Sequence, residues 1–372
     1  MSRRRPLTVI SLFSGGGGLD LGLESVGFQV RVSSDIDEHS CITLSRGAKM
    51  ARKAGRSLMR TAAVLRSDVC DLTGTALLRA ARLSPGGCDL LAGGPPCQAF
   101  SVFGRRRGRK DPRGRLVFEY LRILSEIRPR AFLLENVYGM LTVEGGAVFR
   151  ELVERLSNPT RGLHYKISVH RANSALYGVP QFRDRVFIIG ALEGGEVEQV
   201  QPVTCSPEAD LFDSGELLPW RTVSDALRGL PPVGSPYPAN HTGRRHSERI
   251  TRRYAGLRAG ERDPLTRINR LNDERPSFTI IVGSDKGGGK GHVHPREPRE
   301  VTPRESARIQ TFPDWWAFSG TTRHPIRQVG NAVPPLMGAA VGNALRGQLF
   351  GRRTVSLESY AARLDQGHLF SR

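Results

Sequence analysis

Apolar and polar positions along the first half of the chain alternate between a strand rhythm and a helix rhythm. Leu7-Thr8-Val9-Ile10-Ser11-Leu12-Phe13 is a β-rich apolar run, and Ser14-Gly15-Gly16-Gly17-Gly18-Leu19-Asp20 follows it as a glycine turn. Leu19, Leu21, Leu23 and Val26 carry the pattern into a helix that Gly27 ends. Residues 29–34 alternate as a second strand, which stops at Asp35-Ile36-Asp37. Residues 47–61 are rich in Arg, Lys and Gly and read as a surface insertion. Residues 88–92 form a short apolar run of the buried-strand type. Gly93-Gly94-Pro95-Pro96 end it abruptly, because neither residue type continues regular structure there. Val117, Tyr120, Leu121 and Leu124 mark a helical stripe, and residues 131–134 make another buried-type strand, closed by Glu135-Asn136-Val137. Residues 165–170 read as a strand, and Gln181-Phe182-Arg183-Asp184-Arg185 opens one more over 186–190. Strands separated by helices, with polar groups at the strand ends, predict an α/β fold whose ligands sit at those ends.

From about residue 192 the alternation stops, Pro and Gly rise, and basic residues cluster, as in Arg244-Arg245-His246 and Lys286-Gly287-Gly288-Gly289-Lys290-Gly291. The pattern returns at Thr302, where an N-cap threonine, a proline and Glu305 make a helix start, and a last helix runs through Leu345. The expected organisation is a large domain from residues 1–191 and 299–350, a small loop-rich domain over 192–298, and a tail, 351–372, with no readable signal.

Composition adds a partner. Lys and Arg outnumber Asp and Glu by 55 to 36, a net charge of +19, which favours a polyanionic partner, most simply nucleic acid, over a merely soluble basic protein. The five cysteines, at 41, 70, 88, 97 and 205, have no Cys-x-x-Cys spacing, which excludes a zinc site and a disulfide framework and fits a reducing cytoplasm. The basic start and the short, broken apolar run behind it make neither a signal peptide nor a membrane span.

Four places carry candidate chemistry. The glycine turn lets a ligand approach bare backbone at a helix N-terminus, yet it is not a dinucleotide fingerprint, since the sixth position from Gly15 is Asp20. Asp35 closes a second strand, where an acid accepts ribose hydroxyls, although Asp35 or Asp37 could equally cap a helix. Cys97 stands at a strand tip before the basic segment Phe103-Gly104-Arg105-Arg106-Arg107-Gly108-Arg109-Lys110: a nucleophile on a rigid turn, or a structural cysteine beside solvated charge. Gln181, Arg183 and Arg185 share one face if their segment is extended.

Pro95-Pro96-Cys97-Gln98, with Phe100-Ser101 behind it, resembles the catalytic motif of the C5-cytosine DNA methyltransferases of bacterial restriction-modification systems. Five further motifs follow the same order across residues 11–335. Phe13-Ser14-Gly15 with Gly17 is similar to the S-adenosylmethionine motif Asp-Leu-Phe-x-Gly-x-Gly-Gly, with Ser11 in place of the acid. Glu135-Asn136-Val137, Gln-x-Arg-x-Arg at 181–185, the run 302–314 and Gln328-Val329-Gly330-Asn331-Ala332-Val333-Pro334-Pro335 match in turn, and Asp68 stands where the family has Gly-Asp-Ile. Asp35 and Ile36 replace the usual glutamate and aromatic residue.

The resemblance implies a Rossmann-like S-adenosylmethionine-dependent methyltransferase fold with 192–298 as target-recognition domain. It implies Cys97, Glu135, Arg183 and Arg185 as the catalytic set. For S-adenosyl-L-methionine it implies Phe13, Ser14, Gly15, Gly17, Gly18, Leu19, Asp35, Ile36, Asp68, Val69, Pro95, Asn331 and Val333. Double-stranded DNA would meet Gln98, Ser101, Arg105, Arg106, Arg107, Arg109, Lys110, Lys286 and Lys290. A monomeric cytoplasmic enzyme is expected, with no metal, and with any restriction endonuclease acting on the same site without stable contact. The other readings are a tRNA cytosine-C5 methyltransferase and a non-catalytic DNA-binding protein on the same scaffold.

Overall fold

The computed structural model describes residues 5–96, 112–193, 195–208, 217–280, 291–321 and 323–370. Seven strands form the main sheet: β1 Leu7–Leu12, β2 Phe28–Asp35, β3 Ala63–Arg66, β4 Leu90–Gly93, β5 Ala131–Val137, β6 Lys166–Asn173 and β7 Asp184–Ala191. Their spatial order is β3-β2-β1-β4-β5-β7-β6. The first five run parallel, and β7 inserts antiparallel between β5 and β6. The ends of β1, β2, β4 and β5 and the start of β7 therefore share one edge, where the order of an open α/β sheet places ligands.

Side-chain alternation divides the core. Val9, Leu90, Ala92, Leu133, Phe187 and Ile189 face one buried cluster, which also takes Leu19, Leu21 and Leu23 of α1 (Gly18–Ser25), Leu44 of α2 (Glu38–Lys53) and the late helices. Ile10, Leu91, Phe132, Leu134 and Ile188 face the other, against α3 (Gly74–Ala81), α4 (Pro112–Ile127) and α5 (Ala147–Ser157). Sheets covered on both faces need the near-continuous apolar strands seen here.

β2 departs from the alternation its sequence shows. Val9 pairs with Val30 but Ile10 pairs with Val32, so Arg31 is an extra residue. Val30 and Val32 consequently join opposite clusters. The bulge also turns Ser33 and Asp35 onto the α1 face, as a one-residue slip must.

Residues 47–61 are not a surface insertion. α2 runs through Lys53, its Gly47, Ala48 and Ala51 are buried, and Leu58 and Met59 sit in the core. Leu44, Ala48 and Ala51 recur at helical spacing beneath the charged residues, and a Cβ at Gly47 would meet the Trp316 ring at 2.0 Å.

Residues 192–298 hold little regular structure: β8 Thr204–Cys205, β9 Leu218–Pro219, α6 Val223–Leu227 and α7 Glu248–Ala255. Val197, Val200, Val223 and Ile280 nevertheless belong to the core cluster of the sheet. α8 (Pro303–Ile309) supports this region from beneath. It starts with the expected capping box, Thr302 with Glu305, and Arg304 donates to the carbonyls of Ala239, Pro313 and Trp316 at 2.9, 3.0 and 2.6 Å. α9 (Arg323–Asn331) and α10 (Pro335–Gln348) return to α1, and α11 (Leu357–Arg363) brings Tyr360, Ala361 and Leu364 of the unread tail into the same core. Among the described residues no helix is long and apolar enough to cross a membrane.

One buried acid gives the fold a measurable pH response. Glu24 of α1 accepts the amide N–H groups of Val30, at 2.9 Å, and Met59. Burial pushes its carboxyl from 4.5 up to about 8 against those donors. Between these values the folded chain holds a proton that the unfolded chain has released, so the contribution of Glu24 falls as pH rises through that window. Glu24→Gln stays neutral throughout. Its melting temperature relative to the parent is expected to climb steadily as buffer pH goes from about 5 to about 8. A constant offset between the two proteins would show that Glu24 does not titrate there.

Candidate active site

The sheet's ligand edge begins with a strained turn. Phe13, the first residue after β1, has φ 55°, and Gly15 and Gly17 have φ 51° and 85°. A bulky residue held in the left-handed region is unusual and marks a functional constraint. Gly17 is left bare because a Cβ there would meet Leu44 at 2.8 Å and Trp316 at 2.9 Å. Trp316 Nε1 donates to the Gly16 carbonyl at 2.9 Å, so this indole is the floor of the turn. At Gly15, in contrast, a Cβ would meet nothing within 4 Å. That position is open backbone beside a helix N-terminus.

The carboxyl that position 11 lacks is present next to it. Asp20, fully buried on α1, accepts Ser11 Oγ at 2.6 Å and Ser33 Oγ at 2.7 Å, and burial raises its pKa. Ser14 Oγ continues the chain to Ser11 Oγ at 3.0 Å. Asp35 faces the same turn. Its carboxylate accepts Gly15 N at 2.8 Å and Asp37 N at 2.9 Å, while Asp37, not Asp35, caps α2 through Ser40 N. Burial raises the Asp35 pKa despite those donors. Ile36 beside it is 63% exposed, an apolar surface at the rim. Asp68 caps the short turn at Val69 by accepting Cys70 N at 2.9 Å. Across the turn, Val333 is buried and its carbonyl lies against Gly18, whereas the Asn331 side chain is exposed.

A second group of side chains gathers at the tips of β4, β5 and β7. Arg185 Nε lies 2.7 Å from Glu135 Oε1, and both side chains are nearly buried. The antiparallel register pairs Arg185 with Val137 and Glu135 with Phe187, so the two are diagonal neighbours on one face. Glu135 Oε2 stands over Gly94, where a Cβ would come within 2.8 Å of it. Asn136 Nδ2 donates to the Pro95 carbonyl at 2.8 Å and its Oδ1 accepts Val137 N at 2.9 Å, which ties the β4 turn to β5. The carboxyl–guanidinium pair is thus fixed beside the residue that leads into Cys97.

Arg183 does not join that pair directly. It is fully buried, and its terminal nitrogen donates to the carbonyls of Gly330 at 2.7 Å and Ala332 at 3.0 Å. Gln181 Oε1 accepts Ile280 N at 3.1 Å, within the loop-rich region 192–298. The expectations on Cys97, Gln98, Ser101, Arg105, Arg106, Arg107, Arg109, Lys110, Lys286 and Lys290 lie outside the described residues. Sequence reasoning passed over Asp20 and Trp316. The only hint of either was a glycine at a helix-interior position, Gly47, that an indole could cover.

A family model described as C-5 cytosine-specific DNA methylase matches residues 7–347. The chain is 32% identical over 369 residues to the type II methyltransferase M.XorII of Xanthomonas oryzae pv. oryzae, covering 90% of this chain and 84% of that one. It is 40% identical over 237 residues to the type II methyltransferase M.AquIA of a Picosynechococcus species, covering 61% of this chain and 90% of that one. Among solved structures, one described as a DNA modification methyltransferase encoded within an E. coli prophage superposes with a TM-score of 0.70 at 27% identity, over 92% of this chain and 99% of that one. The S. pombe Dnmt2 methyltransferase superposes with a TM-score of 0.58 at 16% identity, over 92% and 99%, a likeness of fold alone.

Proposed function

This chain belongs to the C-5 cytosine-specific DNA methylases, and from that premise we propose a covalent route for its reaction, through Cys97 and a cytosine turned out of the duplex. The enzyme is a DNA (cytosine-5-)-methyltransferase of the restriction-modification kind. C5 of cytosine is too weak a nucleophile to take a methyl group unaided. Addition of a thiolate at C6 makes C5 enamine-like and sends negative charge toward N3 and O2. Stacked bases hide C6, so the base must leave the helix, at a cost of a few kcal/mol.

The observation that carries this reading is the Glu135–Arg185 pair over Gly94. Oε1 is engaged by Arg185, and Oε2 faces the β4 turn that continues into Cys97. Oε2 is the atom positioned to share a proton with N3. The Arg185 guanidinium faces O2, where a fixed cation stabilises developing charge. Positive charge from Arg185 also favours the Cys97 thiolate, whose free thiol has a pKa near ~8.5. After transfer a water or hydroxide takes the C5 proton, the C5–H electrons re-form the C5–C6 double bond, and the sulfur leaves C6 as thiolate.

The glycine turn fits an S-adenosyl cofactor. Gly15 offers open backbone, Ile36 an apolar rim, and Asp35 and Asp68 carboxylates at successive strand ends. Phe13, Ser14, Gly17, Gly18, Leu19, Val69, Pro95, Asn331 and Val333 complete the wall. Both Asp35 oxygens already accept an amide, so a ribose hydroxyl would share their remaining lone pairs. When bound, S-adenosylmethionine supplies the sulfonium methyl. The region 192–298, long and rich in basic residues, is the recognition region of this reading, and its lysines and arginines would hold the phosphates of duplex DNA. The reading includes a cytoplasmic monomer whose cognate endonuclease, where present, shares the site without stable contact.

The test uses the full chain, cofactor and a long duplex carrying 5-fluorocytosine in place of cytosine. Fluorine at C5 cannot leave as a proton does, so the Cys97–C6 bond should persist as a species that survives a denaturing gel. A gel with no cross-link, or one unchanged in Cys97→Ser, would refute the covalent route. A cross-link formed with tRNA but not with the duplex would select the RNA reading.

A further inference from the structure

Gln181, Arg183 and Arg185 alternate along one segment, and each reaches a different part of the molecule. Gln181 holds Ile280 N, Arg183 holds the carbonyls of Gly330 and Ala332, and Arg185 holds Glu135. The middle contact spans 147 and 149 positions of sequence and joins the sheet to the segment that walls the glycine turn. That segment has little room. A Cβ at Gly16 would sit 3.2 Å from the Gln328 carbonyl, and one at Gly18 would sit 2.1 Å from the Val333 carbonyl.

Arg183 holds this place under electrostatic load. Burial and the like charge of Arg185 push its pKa down to about 9, opposed by Glu135, and its Nε has no partner among the described residues. One nitrogen, Nη2, serves both carbonyls, and the length of the arginine side chain carries it there from the residue just before β7. Fixing the carbonyls on either side of Asn331 fixes the direction in which residue 331 projects, and with it the approach of Val333 to the turn.

We propose that Arg183 is a positioning residue for the cofactor wall, coupling the lead-in to β7, the strand that carries Arg185, to the 328–333 segment, and is not itself a group that touches the base. The inference rests on the cofactor site proposed above. Arg183→Lys keeps the charge and the donors on a shorter chain, and Arg183→Gln loses the charge and is shorter again, so its amide falls short of the carbonyls. Titration of the full chain, without DNA, with S-adenosylhomocysteine should give affinities in the order parent, Lys variant, Gln variant, with a loss of about 10-fold or more at the end of the series. At saturating cofactor both variants should still trap the 5-fluorocytosine duplex, because Glu135, Arg185 and Cys97 are untouched.

Affinities within twofold of the parent in both variants overturn the proposal. So does loss of trapping with cofactor binding intact, which would move Arg183 to the base. If neither variant folds, Gln310→Met decides. Gln310 Nε2 donates to the Val329 carbonyl at 2.9 Å, so its loss loosens the same segment without touching Arg183. Weaker S-adenosylhomocysteine binding supports the proposal, and unchanged binding overturns it. Failure of the covalent route would show instead in the parent, as absent trapping, and leaves the titration readable.

Discussion

Glu135→Gln is expected to lower methyl transfer by about 10²–10³-fold, the usual effect of removing one group that stabilises developing charge. Glutamine keeps the shape of the site. Its amide oxygen can take the place of Oε1 against Arg185 Nε, now 2.7 Å away, and its nitrogen then faces Gly94 where Oε2 stands. A hydrogen bond to N3 is still possible, but an amide cannot deliver a proton. The charge that forms as sulfur adds is therefore only partly relieved. Single-turnover transfer of a tritiated methyl group, at saturating cofactor and DNA, measures this step apart from product release. Binding of S-adenosylhomocysteine and of duplex should stay within a few fold, because neither depends on the proton. A rise in KM with kcat unchanged would instead make Glu135 a binding group, and the proton-sharing role would fall.

The edge positions of Glu135 and Arg185 are legible in the sequence, although their contact with each other is not. Each sits at the boundary of an apolar run, and a buried strand that ends in a charged residue sets that residue at the sheet's edge. The turn at 13–18 was legible on the same ground, since the period changes from strand to helix across a run of glycines. What stayed hidden depends on partners far away in sequence or on single extra residues. The Arg31 bulge carries no compositional mark, yet it decides that Asp35 faces the glycine turn. The resemblance puts Arg183 in the catalytic set, and nothing local reveals its carbonyl partners, which belong to a segment that returns only at the end of the fold. Asp20 passed as a polar residue on a helix, and nothing local says that Ser11 and Ser33 lie above it. The helix over 38–53 was lost to its own surface charge, which masked the apolar positions 44, 48 and 51.

Two glycines of the turn should separate packing from ligand contact. In Gly18→Ala the new methyl would lie 2.1 Å from the Val333 carbonyl and 3.1 Å from the Phe312 ring. The first of these is backbone, held from the other side because Gly22 of α1 lies against Pro335 and Ala339 of α10. α1 and α10 cannot part without opening the core, so a loss of about 1–3 kcal/mol in stability is expected. The wall and the turn must also shift, and S-adenosylhomocysteine binding should weaken by about 10–100-fold, equivalent to about 1.4–2.7 kcal/mol. Gly15→Ala is the opposite case. Its methyl meets no protein atom within 4 Å, but alanine must adopt φ 51°, at about 1–2 kcal/mol. Gly55→Ala has φ 65° and the same open surroundings, just past the C-terminal end of α2, and serves as the control for strain alone. The two should lose similar stability by thermal melting. Only Gly15→Ala should also lose affinity for S-adenosylhomocysteine, because only there would the methyl enter space that a ligand occupies. Equal affinity in Gly15→Ala and Gly55→Ala would remove the open backbone at residue 15 from the cofactor site.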